Sequence, residues 1–334
     1  MRGHLLFAAL LIAISSIGCA QAATIYVPDN YTKIQWAVDN ASAGDTIIVR
    51  DGNYYENVVV DKQLTIKSEN GSENCIVNGS GGALGKENVF RLEADGIRIE
   101  GFTITGGFTG IHIWYSNNNS ISNNSVSNNY YGIYLYKSNN NSISNNIISS
   151  NGDGIGLGDS NENSISKNNI SLNNRHGIFL SGSNNNSISK NNISSNNWYG
   201  IYPSCSNNNI IYLNNFIKNT KNTCSFYSIN IWNSTEKITY TYKGSTFTNY
   251  TGNYWDNYNG SDANGDGIGD TPYSIDSDKD YYPLMERFEN YSAPAPTPTP
   301  TPTPIPEFPA YLLLIAASSM IALAFMISMR RGKK

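Results

Sequence analysis

The run Asn139-Asn-Asn-Ser-Ile-Ser-Asn-Asn-Ile-Ile-Ser149 decides the fold, because near copies of it stand on either side in the chain. The copies alternate with the tetrapeptides Gly110-Ile-His-Ile, Gly132-Ile-Tyr-Leu, Gly154-Ile-Gly-Leu, Gly177-Ile-Phe-Leu and Gly200-Ile-Tyr-Pro, which begin at intervals of 22, 22, 23 and 23 residues. Aligning the copies puts apolar residues into columns. One is Ile111, Ile133, Ile155, Ile178 and Ile201; a second is Ile121, Ile143, Ile165, Ile188 and Ile211; a third is Val126, Ile148, Ile170, Ile193 and Phe216. Within each copy apolar and polar residues alternate over short stretches, the period of strands, and no helical period competes with it. Three short strands per turn, stacked at about 4.8 Å, give a parallel solenoid filled by those columns. Asn124, Asn146, Asn168, Asn191 and Asn214 recur three residues after the second column, where an Asn at a bend can bond to its equivalents above and below. Asn/Ser richness alone would suit disorder, but a disordered chain has no reason to keep isoleucine in register. The fold class expected is all-β, a right-handed parallel β-helix.

Upstream, Tyr31 to Ala41 reads as a short amphipathic helix ending at Gly44, a cap for the first open edge. Strands are expected at Thr46–Val49, Asn57–Val60, Leu64–Lys67 and Cys75–Asn78, then less regular turns around Val89–Leu92, Ile97–Ile99 and Phe102–Ile104. The β-helix is thus expected over 23–250, with 251–291 as a closing segment.

The two ends carry other signals. Met1 to Ala22 has a basic start, an apolar run and a small-residue site, the pattern of a secretory leader. A lipoprotein cut at Cys19 is the alternative, with Ser16 standing where an aliphatic residue is wanted. Residues 292–309 form a Pro/Thr stalk and sorting motif, 310–329 an apolar transmembrane span, and 330–334 a basic tail expected on the cytoplasmic side. The protein is therefore expected on the outer face of the cell membrane. The formal net charge is −4, and five of the basic residues lie in the leader and tail. An acidic body excludes nucleic acid as the partner and suits divalent cations. No Cys-x-x-Cys or Cys/His cluster occurs; Cys205 and Cys224, about one turn apart, are placed to pair.

The opening Thr24-Ile-Tyr-Val-Pro-Asp-Asn-Tyr-Thr-Lys-Ile-Gln and Gly44-Asp-Thr-Ile-Ile-Val-Arg-Asp-Gly-Asn-Tyr resemble the start of pectate-lyase-like β-helix proteins. The repeat and the closing Gly252-Asn-Tyr-Trp-Asp resemble NosD β-helix domains of archaeal surface proteins, and Pro306-Glu-Phe before an apolar span resembles a PEF-type archaeal sorting signal. The resemblance covers nearly the whole chain and implies the solenoid, a surface location and a sortase-like processing enzyme as a partner. The family's copper label would need clusters of His, Met or Cys, whereas the body offers only His112 and His176.

Three sets of residues bear on chemistry. In Asp262-Ala-Asn264-Gly-Asp266-Gly-Ile268-Gly-Asp270, side-chain oxygens at alternate positions and glycines for the turn suit Ca2+, with Ile268 contributing its carbonyl. Asp276, Asp278 and Asp280 follow closely and are expected to complete or enlarge the site. Tyr273 stands where an EF-hand has its bidentate Glu, so the loop is closer to thrombospondin-type and dockerin-like sites; the plain alternative is an acidic turn without metal. The second set flanks each repeat glycine. Tyr131, Tyr134, Phe179, Tyr199 and Tyr202, with Trp114, Tyr115, Tyr130, Tyr136 and Trp198 nearby, are expected to share one outer face by alternation and to stack on sugar rings. Within that face Asp153, His176 and Arg175 would stand one rung apart as an acid/base group. The third set is the Asn-x-Ser/Thr triplets outside the repeats, of which Asn249, Asn259 and Asn290 are the best placed to carry glycan.

Glycoside hydrolysis needs two spaced carboxylates, and this face has one Asp and no Asp-Pro-His motif of the uronate-epimerase kind. The function expected is a non-catalytic surface protein that binds or organises envelope polysaccharide. The alternatives are a polysaccharide lyase, epimerase or hydrolase using Asp153, His176 and Arg175, and a purely structural or adhesive envelope component.

Overall fold

In a computed structural model of the protein, residues 22–79 and 87–293 are described. Three parallel sheets run side by side. Sheet 1 has nine strands, from Thr24–Val27 to Ile210–Tyr212; sheet 2 has eight, from Val58–Val60 to Lys221–Thr223; sheet 3 has nine, from Gly52–Tyr55 to Tyr254–Trp255. The chain visits the three in rotation, which makes a right-handed parallel β-solenoid of about nine turns. The register is the one the repeat implies: Ile121 pairs with Ile143, Ile143 with Ile165, and Ile165 with Ile188. All three isoleucine columns are fully buried, as is a fourth formed by Ile113, Leu135, Leu157 and Leu180. Each such side chain withdrawn from water contributes on the order of 2 kcal/mol.

The strands are short because the sequence permits one inward residue between two turns. In Ser142-Ile143-Ser144 only the isoleucine faces in. The next residue, Asn145, has φ 56°, and its equivalents Asn123, Lys167, Lys190 and Leu213 are also left-handed. Asn tolerates that region best among residues with a Cβ, which is one reason the repeat is built from it.

The residue after each such turn is a buried asparagine, and these form ladders. Asn146 Nδ2 donates to Asn168 Oδ1 at 3.0 Å and to the Ile121 carbonyl at 3.0 Å, while the Asn146 N–H donates to the same Asn168 oxygen at 3.0 Å. Sequence periodicity picks out this ladder; the structure has two more, through Asn141, Asn163 and Asn186 and through Asn151, Asn173 and Asn196. A serine ladder runs through Ser138, Ser160 and Ser183. Each ladder satisfies at every corner the backbone groups that a buried bend would otherwise strand.

Two ladders end on carboxylates. The N–H of Asn230, last of the ladder through Asn141, donates to Asp278 Oδ2 at 3.0 Å, and that of Asn253, last of the ladder through Asn146, to Asp280 Oδ2 at 2.7 Å. Trp232 Nε1 and Trp255 Nε1 donate to the same two oxygens. Asp278 and Asp280 thus stand where a further turn would place its asparagines. This corrects their expected part in a cation site: they are committed to the end of the solenoid, and Asp276 accepts the Ser225 N–H. Asp280 is fully buried, and burial pushes its carboxyl up to about 7 against the pull of its N–H donors. Beneath the last rung, Trp255 is sandwiched between Phe216 and Tyr273, each ring centroid 4.4 Å away.

The expected helix spans Ile34–Asn40 and buries Ile34, Ala37 and Val38 in the main core. Glu56 accepts the N–H groups of Ile34 and Gln35 at its N-terminus, where a carboxylate is favoured. Gly52–Tyr55 is a strand the sequence reading omitted. The solenoid also runs past residue 250, since Tyr254–Trp255 pairs with Asn215 and Phe216 in sheet 3. Between its last rungs the hairpin Ile238–Tyr242/Ser245–Asn249 folds outside and packs with Ile268 and Leu284 in a second small core. The expected leader, stalk, apolar span and basic tail lie outside the described residues, apart from residue 22 and residues 292 and 293. No helix among the described residues is long and apolar enough to cross a membrane.

Candidate functional site

The outer face of sheet 2 carries the aromatic residues. Its strands run Tyr131–Tyr136, Asp153–Gly158, Ile178–Ser181 and Tyr199–Ser204. Strict alternation would turn Tyr131 to the same side as Ile133, yet the Tyr131 and Tyr134 rings stack with centroids 4.8 Å apart. Likewise Tyr199 stacks on Tyr202 at 5.2 Å, and His176 on Phe179 at 5.5 Å. The repeat glycine makes the difference: a Cβ on Gly132 would lie 2.5 Å from the Gly154 carbonyl and one on Gly154 2.5 Å from that of Gly177. With no side chain there, residues on both sides of the glycine reach the outer face. Gly156 and Gly158 clear space in the next rung for the Tyr134 ring, which a Cβ at either position would strike at 2.7 Å.

Tyr131, Tyr134, Phe179, Tyr199 and Tyr202 are all half-buried in this packing. The rings most open to solvent are their neighbours: Tyr115 is 52% exposed, Trp198 51% and Tyr130 45%. Arg175 lies between two of these, its guanidinium 5.6 Å from the Tyr130 ring centre and 5.3 Å from that of Trp198. Its Nη1 donates to the Tyr130 hydroxyl at 2.7 Å.

Asp153, His176 and Arg175 come together as expected from their rungs. Asp153 is fully buried and His176 is 4% exposed. The His176 Nδ1 lies 2.7 Å from Asp153 Oδ1, which also accepts the His176 N–H at 3.1 Å. Arg175 Nη1 stands 3.3 Å from Asp153 Oδ2. A carboxylate removed from water requires such partners. Four rings surround His176: Phe179, Trp198, Tyr199 and Tyr202. With Asp153 ionised, the histidine Nδ1 is the donor in this contact.

Further along the same face, His112 is held by Asn88 Nδ2 at 3.2 Å, by the Trp114 and Tyr134 rings, and beside Arg91. Burial first, and then the Arg91 charge, lowers its pKa to about 4. At the opposite end Lys221 continues the column of Tyr199 and opens a polar cleft of about 460 Å³, lined also by Asn222, Asp256, Tyr273 and Asp276. Sequence reading did not find this cleft, because its walls come from three separate segments, 219–223, 256–257 and 273–276.

At the Asp-rich loop the carboxylates turn toward backbone N–H groups. Asp262 accepts from Gly265, Asp266 and Gly267; Asp266 Oδ1 from Ile268; Asp270 Oδ2 from Ala263 and the Ser261 hydroxyl. Asn264 donates to Asp266 Oδ2. Among the described residues no group of three or more His, Cys, Asp or Glu is gathered to hold a metal ion. Cys205 and Cys224, expected as a pair, are both free thiols. Register explains it: Ile201 pairs with Thr223 and Ser204 with Phe226, so Cys224 falls beside Tyr202, three residues before Cys205.

The chain belongs to the NosD family, described as periplasmic copper-binding protein, whose pattern matches residues 38–260. A cell surface glycoprotein of Methanothermus fervidus is 38% identical over 135 residues, a match covering 39% of this chain and 22% of that protein. Among solved structures, the Geobacillus virus E2 protein ORF18 aligns over 89% of this chain and 81% of its own, at 13% identity and a TM-score of 0.46. The pectate lyase Pel9A aligns over 63% of this chain and 79% of its own, at 13% identity and a TM-score of 0.45. The copper of the family description does not fit the residues present. Of the two described histidines, His176 spends Nδ1 on Asp153 and His112 spends Nδ1 on Asn88. Cys75 is buried in the core, with its thiol pushed up to about 12.

Proposed function

We propose that the protein is a cell-surface β-helix protein that binds a sugar polymer of the cell envelope along the outer face of sheet 2, without acting on it chemically. The observation that carries the reading is the platform of Tyr130, Arg175 and Trp198, two solvent-open rings held by a guanidinium fixed on buried Asp153. Aromatic faces stack on the C–H faces of sugars, and the guanidinium offers donors to hydroxyls or carboxylates. The family's description as periplasmic and the name of the Methanothermus fervidus relative support a place outside the cytoplasm. In this reading residues 310–329 anchor the chain on the outer side of the membrane, where the stalk holds the solenoid away from the lipid. Retention on immobilised envelope polysaccharide tests it: a Tyr130→Ala/Trp198→Ala double variant with unchanged melting should be retained at least tenfold less, and equal retention would overturn the reading.

A second reading rests on the 2.7 Å contact of Asp153 and His176. A histidine oriented by a buried carboxylate, beside a cation, is equipped to remove a proton next to a uronate carboxyl group. Release of unsaturated ends from acidic polysaccharide, abolished in His176→Gln, would establish it over the binding reading.

Calcium at Asp262, Asn264, Asp266, Ile268 and Asp270 is part of the proposal for the closing segment. Binding there would exchange the N–H donors now on these oxygens for the ion, so its effect would be on stability rather than on the sheet 2 face.

A further inference from the structure

Asn-x-Ser/Thr triplets occur throughout the chain, and the fold sorts them by whether the asparagine amide is free. Among triplets lying wholly within the described residues, four have an exposed asparagine whose side chain makes no hydrogen bond: Asn118, Asn140, Asn185 and Asn259. Elsewhere the amide is engaged. Asn249 donates to Asp266 and Asn290 to Glu286, at 3.1 and 2.7 Å, which removes two of the three sites favoured on sequence grounds.

Three of the four stand in one line. Ser120 pairs with Ser142, Ser142 with Ser164 and Ser164 with Ser187, so Asn118, Asn140, Glu162 and Asn185 stack at a single corner, one rung apart. Rungs are spaced about 4.8 Å apart. All four residues are left-handed, with φ between 57° and 58°. The buried ladder residue always follows, and because it precedes Ser-Ile or Ser-Val it never starts a triplet itself. The acceptor frame and the exposed frame of the repeat therefore coincide.

We infer that Asn118, Asn140, Asn185 and Asn259 are N-glycosylation sites, and that the first three form a glycan stripe along the corner between sheets 2 and 1. In the step implied, the asparagine Nδ2 displaces a lipid-linked phosphate from the anomeric carbon of an oligosaccharide. The N–C bond forms, the C–O bond to phosphate breaks, the phosphate leaves with the electron pair, and one amide proton passes to a base of the transferring enzyme. The serine two residues on is the group that enzyme reads. The corner follows directly on the sheet 2 strands, whose last residues include Trp114 and Tyr136. The stripe would form one margin of the aromatic face, an arrangement independent of whether that face binds polymer.

The test is glycopeptide mapping by mass spectrometry of the full-length chain made in an archaeal host. Sugar is expected on the peptides of Asn118, Asn140, Asn185 and Asn259 and on neither Asn249 nor Asn290. Asn118→Asp, Asn140→Asp and Asn185→Asp should each remove one glycan mass, and because Asp also tolerates the left-handed region each should leave the melting temperature within about 2 °C. Bare asparagine at all four sites, in cells whose own surface glycoprotein carries sugar, would overturn the inference. So would sugar found instead on Asn249 and Asn290.

Discussion

Asp153 lies directly beneath His176 on sheet 2, Oδ1 to Nδ1 at 2.7 Å, in a column that also holds Thr109, Tyr131 and Tyr199. An ionisable pair has replaced an aromatic pair at the centre of the face. It is neutralised from one side only, by Arg175.

Asp153→Ala should therefore destabilise the protein by about 3–5 kcal/mol, since it strips a buried partner from both His176 and Arg175. Asp153→Asn should cost less, because an amide still accepts from the His176 N–H. Chemical denaturation of the three proteins checks the order; equal stability of wild type and Asp153→Ala would mean the pair is not closed in solution.

A mid-ladder substitution should cost more than its exposure suggests. Asn168→Ala leaves the Asn146 N–H and the Ile143 carbonyl without partners inside the solenoid. At about 1–3 kcal/mol for each stranded group, a loss of roughly 2–5 kcal/mol is expected in the same assay. Asn169→Ala, at the neighbouring exposed position, should change stability by less than about 1 kcal/mol.

His112 gives a pH dependence whose sign is fixed. Its pKa is about 4 when folded, against about 6.5 when unfolded, so below 6.5 the unfolded chain takes up the proton first. The stability contributed by the neutral imidazole is complete above pH 6.5 and is lost as pH falls toward 4, to at most about 3 kcal/mol. His112→Gln should flatten that part of the profile. Asp280, raised to about 7, works oppositely: its contribution falls as pH rises from about 4 to 7, so the difference between wild type and His112→Gln is the quantity to read.

Chelation discriminates two accounts of the Asp-rich loop. With calcium bound, EDTA should lower the melting temperature by several degrees, and Asp266→Ala should abolish the response. An identical melt with and without EDTA would mean that the loop is closed by its own N–H donors alone.

The isoleucine columns, their register and the exposed or buried phase of each strand were legible because a solenoid repeats one local environment at a fixed interval. What escaped were features that depend on a departure from the repeat. The interval grows from 22 to 23 between Gly154 and Gly177, but the sequence does not say where. Hydrogen bonds from Asn174 to Asn151 and from Arg175 to Gly152 show that the extra residue enters just before His176. Trp198 occupies the same added position one turn later. Those two insertions, Arg175 and Trp198, supply two of the three members of the aromatic-guanidinium platform. Asp278 and Asp280 escaped for another reason: their partners Asn230 and Asn253 lie 48 and 27 residues away, beyond any local spacing rule.

The ladders have a consequence for size. Every rung presents to the next the same donors and acceptors that it receives from the one before, so a whole turn can be duplicated or deleted without leaving a polar group unanswered. Chain length can thus change in quanta of 22 or 23 residues, each moving the far end by about 4.8 Å. The aspartate pair at the end acts as a terminator for that series, wherever it falls, so the length of the solenoid is set by counting turns.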